Sequence, residues 1–279
     1  MDRILRVARR AARRVQRLAA ALEPPGARDD AALERCERPV LLLPGGPGGR
    51  RSFDVLERRL RRDGYGVFAV DLGGLRTWAP WRGVDDVAEL VRVAIDRLRA
   101  RRPRLAPLSI VGHASGGLVA AYYVKKLGGW RRTRAVVTLG APHRGTPLGW
   151  LGRPLGPAGR ALSQQAPGSP FLARLGDGPW PSQVRLASIW SRRDGLAPWP
   201  ACVIETHGLP QLANVEVDAD HRELLTRKRV YEAILRELRS AERDAPVVRG
   251  RLAGMRGGRA RRPGPAAPLG AEGSSGGAA

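Results

Sequence analysis

The 279-residue sequence predicts an α/β domain, a mostly parallel sheet covered by helices on both faces. Three observations carry that prediction. From residue 39 onward, short apolar runs alternate with amphipathic stretches of helical period. The apolar runs are too short for helices and too continuously apolar for a sheet with one wet face, as expected of strands buried on both sides. One of them, "LSIVG", passes through a glycine-bounded turn straight into a helical stretch, "SGGLVAAYYVKKL".

Taken in order, "PVLLLPG" (39–45) reads as a strand running into a glycine loop, and "SFDVLERRLRRDG" (52–64) as an amphipathic helix stopped by glycine. "GVFAVDL" (66–72) is the next strand and "VDDVAELVRVAIDRLRA" (84–100) the next helix. "APLSIVG" (106–112) is a strand, with a helix following from Ser115 to Leu127. "TRAVVTLG" (133–140), "SQVRLASIWS" (182–191) and "ANVEVD" (213–218) complete the strands, and "HRELLTRKRVYEAILRELRSA" (221–241) is the closing helix. The expected domain is therefore 39–242. Within it, 146–181 is an insertion rich in Pro, Gly and large apolar residues, placed where a lid or acyl-chain pocket would sit. Its Trp150, Leu151, Phe171 and Leu172 are candidate ligand contacts.

The ends differ in character. Residues 1–38 hold a basic helix, "DRILRVARRAARRVQRLAAAL", whose apolar stripe faces an arginine face before "EPPG" ends it. Such a helix packs on the domain or lies on an anionic membrane surface through residues 1–22. Residues 243–279 are Gly/Ala/Pro/Arg-rich without periodicity and read as disordered. The formal charge of +23 suggests nucleic acid, yet among 49 basic residues only Lys125, Lys126 and Lys228 are lysine, and no aromatic-interleaved basic strand or recognition motif occurs. Two cysteines, Cys36 and Cys202, make no disulfide framework, and no run is apolar enough for a secretory signal or a membrane span. These features point to the cytoplasm, with attachment to a membrane periphery allowed by the basic ends. Neither a metal nor a cofactor is expected.

The chemistry concentrates in "GHASGGLVA". A nucleophile elbow carries G-x-S-x-G on a sharp strand-to-helix turn, with the reactive serine two residues after the first glycine. Counted from Gly112, that position is Ala114, and the only adjacent serine is Ser115. In such sites the acid and then the base follow the nucleophile. Asp194, in "SRRDGLAPWPA", and His221, in "VDADHRELL", each follow a strand in that order. Of the remaining histidines, His113 fits a role supporting the turn, and Ser115 also suits an N-cap for the helix it begins.

Together, "PVLLLPGGPGG", "GHASGGLVA", "VTLGAPHRGTPLG", "SRRDGLAPWPA" and "VDADHRELL" resemble the bacterial lipase/esterase branch of the α/β-hydrolase family, over about 39–240. The resemblance implies the α/β-hydrolase fold, an acyl-ester or lipid-like ligand, Asp194 as acid, His221 as base, and the amides of Gly46 and Ser115 as oxyanion donors. The departure is at Ala114, whose methyl group neither attacks a carbonyl nor forms an acyl-enzyme. Losing a triad serine costs about a millionfold in turnover, leaving on the order of 10³–10⁴ over water from binding and the oxyanion hole. The leading expectation is a catalytically impaired pseudoenzyme. Its rivals are an active hydrolase, using Ser115 or a His221–Asp194 dyad alone, and a binder of anionic membranes or nucleic acid through the arginine-rich termini.

Overall fold

The computed structural model describes residues 36–45, 49–69 and 82–244. The basic helix expected over 2–22, the loop residue Gly46 and the tail from 245 lie outside them.

The strands are β1 (Pro39–Leu43), β2 (Gly66–Ala69), β3 (Leu108–His113), β4 (Thr133–Leu139), β5 (Arg185–Trp190) and β6 (Leu212–Glu216). All neighbours pair in parallel, in the order β2-β1-β3-β4-β5-β6. Between them run α1 (Asp54–Arg62), α2 (Val84–Arg101), α3 (Ser115–Lys126), α4 (Arg160–Ser163), α5 (Pro170–Gly176) and α6 (Trp199–Cys202), and α7 (Lys228–Asp244) follows β6. This is the α/β-hydrolase fold that the sequence predicts.

Strand period explains the two cores. Leu41, Leu43, Ile110, Val136 and Leu186 face α2 and α3. Their neighbours Val40, Leu42, Val111, Val137 and Ala187 face α1 and α7. Successive side chains of a strand point to opposite faces, so an unbroken apolar run is what a doubly covered sheet requires. Each fully buried Leu or Val contributes on the order of 1.5–3 kcal/mol relative to exposure.

The chain passes from β1 out to β2 and returns on the other side of β1 as β3. In open parallel sheets a crevice forms at the carboxyl ends of the strands where the order reverses in this way. The chain leaves β1 at that point through Pro44–Gly45 and β3 through Ala114.

Two expectations need correction. The closing helix begins at Lys228, not 221. Before it, the Asp220 carboxylate accepts from the amides of Arg222 and Glu223 at 2.9 and 2.8 Å, which favours a short 3-10 turn at Glu223–Leu225. Nor does Ser115 cap α3. The capping position is Ala114, with no side-chain cap, and Ser115 is the first helical residue.

The insertion folds as a 3-10 stretch, Pro147–Gly159, broken at Gly156, followed by α4 and α5. Gln164 fastens it to the start of α2, its Oε1 accepting from the Val84 amide at 2.6 Å and its Nε2 donating to Asp85 at 2.9 Å. Arg160 pairs with Asp85 and Asp86 beside it. Among the described residues no helix is long and apolar enough to cross a membrane.

Candidate functional site

The turn after β3 has the backbone an elbow demands. Ala114 sits at φ 50°, ψ −126°, a region L-residues rarely adopt and one that costs about 1–3 kcal/mol. Its amide donates to the Leu139 carbonyl at 2.9 Å, and its carbonyl accepts from Gly117 at 3.0 Å. Gly112, Gly116 and Gly117 leave no room for side chains: a methyl at Gly116 would strike the Leu43 carbonyl and one at Gly117 would crowd Ala141 and Thr138. Gly45, at the end of β1, lies so close to the elbow that a side chain there would meet the Ser115 amide.

Asp194 and His221, 27 residues apart, meet at the carboxyl ends of β5 and β6. Asp194 Oδ2 lies 2.7 Å from His221 Nδ1. Oδ1 accepts from the amides of Leu196 and Ala197, both at 2.9 Å. Burial alone would raise the Asp194 pKa. The hydrogen bond from His221 and the amide donors outweigh it and hold the carboxyl below its ordinary range. Ionised Asp194 is acceptor-only, so His221 carries a proton on Nδ1 and keeps Nε2 free for a second partner. Ser191 Oγ joins the two loops, accepting from the amides of Arg193 and Ala219 at 3.1 and 3.2 Å. Gly140, at φ 53°, makes room for the pair, since a methyl there would sit 2.6 Å from Asp194 Oδ2.

His113 does more than support the turn. Its Nε2 donates to the His221 carbonyl at 3.0 Å, and the two rings lie 4.4 Å apart. Burial, with the nearby His221, lowers its pKa to about 4, so it is neutral at pH 7. His143 contacts Thr138 Oγ1 through Nε2 at 3.0 Å, and its pKa is also lowered to about 4, by burial.

The candidate ligand contacts divide. Trp150 and Leu151 are exposed, at 49% and 63%. Phe171 and Leu172 are core residues, and Phe171 stacks on Tyr122 with ring centroids 5.3 Å apart. The sequence signal missed here is N-terminal to them: Ser169 caps α5 by accepting from the Leu172 amide, and Pro170 starts it, which rolls both residues inward. Among the described residues no group of three or more His, Cys, Asp or Glu is arranged to hold a metal ion.

A doubly covered parallel sheet with a strained strand-to-helix turn at its switch point and a carboxylate–histidine pair beyond it defines the α/β-hydrolase class. The chain belongs to the alpha/beta hydrolase family, whose model matches residues 40–269. Solved structures agree on the fold. Bacillus licheniformis lipase BlEst2 in its mature form is 15% identical, with a TM-score of 0.58 over 73% of this chain and 93% of that one. Aspergillus fumigatus lipase B is 16% identical, with a TM-score of 0.62 over 82% and 57%. A bromoperoxidase from Bacillus anthracis is 17% identical, with a TM-score of 0.53 over 72% and 92%. No curated protein matches the sequence.

Proposed function

We propose that this chain is a lipase/esterase-like hydrolase that takes an acyl-ester or lipid-like ligand and is catalytically impaired because residue 114 has no hydroxyl. The observation that carries the reading is a contrast. The backbone of Ala114 keeps the elbow conformation and the His221–Asp194 pair is formed at 2.7 Å, while the side chain between them in the scheme is a methyl group.

In this reading Asp194 holds the Nδ1 proton of His221 and leaves Nε2 as the base. A hydroxyl at 114 would give its proton to Nε2 and attack the ligand carbonyl, with the amides of Ser115 and Gly46 taking the charge that develops on oxygen. The alanine methyl holds no such proton and no lone pair. Ser115 is a poor replacement, because it is the first residue of α3, buried at 5% exposure, and its side chain leaves the backbone in another direction. Trp150 and Leu151 are the acyl contacts in this reading, with Phe171 and Leu172 buried in the core. The intact pair favours one second reading, in which His221 acts as general base on water with no acyl-enzyme.

The test is nitrophenyl-ester hydrolysis by the purified full chain beside its Ala114→Ser variant. The variant is expected to gain about 100-fold or more, and adding His221→Ala should abolish the gain. A folded Ala114→Ser protein with no gain would overturn the proposal. Wild-type turnover that disappears in His221→Ala would put the water mechanism in its place.

A further inference from the structure

The described residues expose seven large apolar side chains, and six of them fall in two segments: Leu148, Trp150, Leu151 and Leu155, then Leu196 and Trp199. Scattered exposed leucines are ordinary, but this is a cluster. Thr146 Oγ1 donates to the Leu196 carbonyl at 3.4 Å and brings the segments together. Leu148, Leu151 and Leu196 then line one hollow of about 350 Å³. Trp199 lies tilted against Trp190, ring centroids 5.4 Å apart, with the Arg192 guanidinium 4.7 Å from its ring. The second segment begins two residues after Asp194, so the patch forms a rim beside the candidate site.

The occupant follows from charge and residue type. A second copy of the chain is disfavoured, because each carries +23. An exposed arginine, Arg153, stands inside the first apolar segment, and Arg192 and Arg193 flank the second, where they pair with Glu216 and Asp218. Leucine and tryptophan interleaved with arginine suit the boundary between lipid head groups and acyl chains, where apolar tips are buried and guanidinium groups meet phosphate. We propose that the rim formed by residues 148–155 and 196–199 docks on an anionic lipid surface, Trp150, Leu151 and Leu155 entering the acyl boundary while Arg153 meets lipid phosphate. This contact is separate from any attraction of the arginine-rich ends and is independent of the chemistry at residue 114.

The experiment measures partitioning of the full chain onto phosphatidylcholine vesicles with and without phosphatidylglycerol. Binding should require the anionic lipid. The double variant Leu151→Asp, Leu155→Asp should partition at least about tenfold more weakly at unchanged melting temperature. Fluorescence from Trp150, taken as the difference between wild type and Trp150→Phe, should shift to the blue on vesicles and be quenched by acyl-brominated lipid. Because that arm uses the otherwise native protein, it decides the matter even if the double variant fails to fold. Unchanged partitioning of a folded double variant, or Trp150 emission untouched by brominated lipid, would overturn the proposal. So would a wild-type dimer that the double variant breaks, which would assign the patch to a second copy.

Discussion

His113 reaches across 108 residues of sequence to donate a 3.0 Å hydrogen bond to the backbone carbonyl of His221. The residue just before the turn's apex thereby holds the main chain of the residue that bonds Asp194. His113 packs against the His221 ring and bonds its main chain, contacts suited to positioning that ring relative to residue 114.

That role predicts a split in kinetics. In the Ala114→Ser background, His113→Ala should lower kcat about tenfold with KM nearly unchanged, and His113→Gln, which keeps a donor, should recover part of the loss. Steady-state kinetics on a soluble nitrophenyl ester checks this. Equal rates in all three proteins would leave the contact with no influence on the ring.

The buried histidines predict an acid-side loss of stability. His113 and His143 are each lowered from 6.5 to about 4 in the fold. Between those values the unfolded chain binds protons that the folded one refuses. Their contribution is therefore complete above 6.5 and is lost as pH falls towards 4, on the order of 3 kcal/mol for each. Asp194, also held below its ordinary range, acts in the same direction but at lower pH, its contribution fading only as pH falls below the ordinary carboxylate value. Urea unfolding from neutral pH down to about 4.5 should show the decline. His143→Gln should flatten it by roughly half, and a variant as pH-dependent as the wild type would refute the assignment.

The insertion predicts unequal effects from two neighbours. Gln164→Ala leaves the buried Val84 amide without its acceptor and should cost about 1–3 kcal/mol. Arg160→Ala breaks ion pairs of a guanidinium that is 43% exposed and should cost under about 1 kcal/mol. Urea unfolding gives the two values, and limited proteolysis within 147–169 should accelerate mainly in Gln164→Ala. Similar values for both would mean that the charges, rather than the buried amide bond, fasten the insertion.

Much of this was legible in the sequence because it is local. The unbroken apolar runs announced a sheet covered on both sides, and the glycine-bounded stretch around Ala114 announced a sharp strand-to-helix turn. The order of Asp194 and His221 after their strands anticipated a pairing that the structure then forms. What stayed hidden depends on distant partners. No periodicity shows that Gln164 reaches Val84, or that His113 bonds the carbonyl of His221. The burial of Phe171 and Leu172 was hidden because an apolar residue in an irregular segment looks alike whether it is exposed or in the core. The start of α7 was misjudged because the Asp220 carboxylate organises a turn inside a stretch whose spacing suits a helix.

The conformation of Ala114 also bears on reversibility. Glycine would occupy φ 50°, ψ −126° with less strain, yet the chain keeps a β-carbon there. Alanine and serine differ by one oxygen atom, and the alanine codons GCN become serine codons UCN by a single nucleotide change. The backbone that would aim a hydroxyl is already paid for in strain, and the histidine that would accept its proton is already oriented by its carboxylate. Whatever function this lineage now draws from the site, it stands one point mutation from a side chain that could attack.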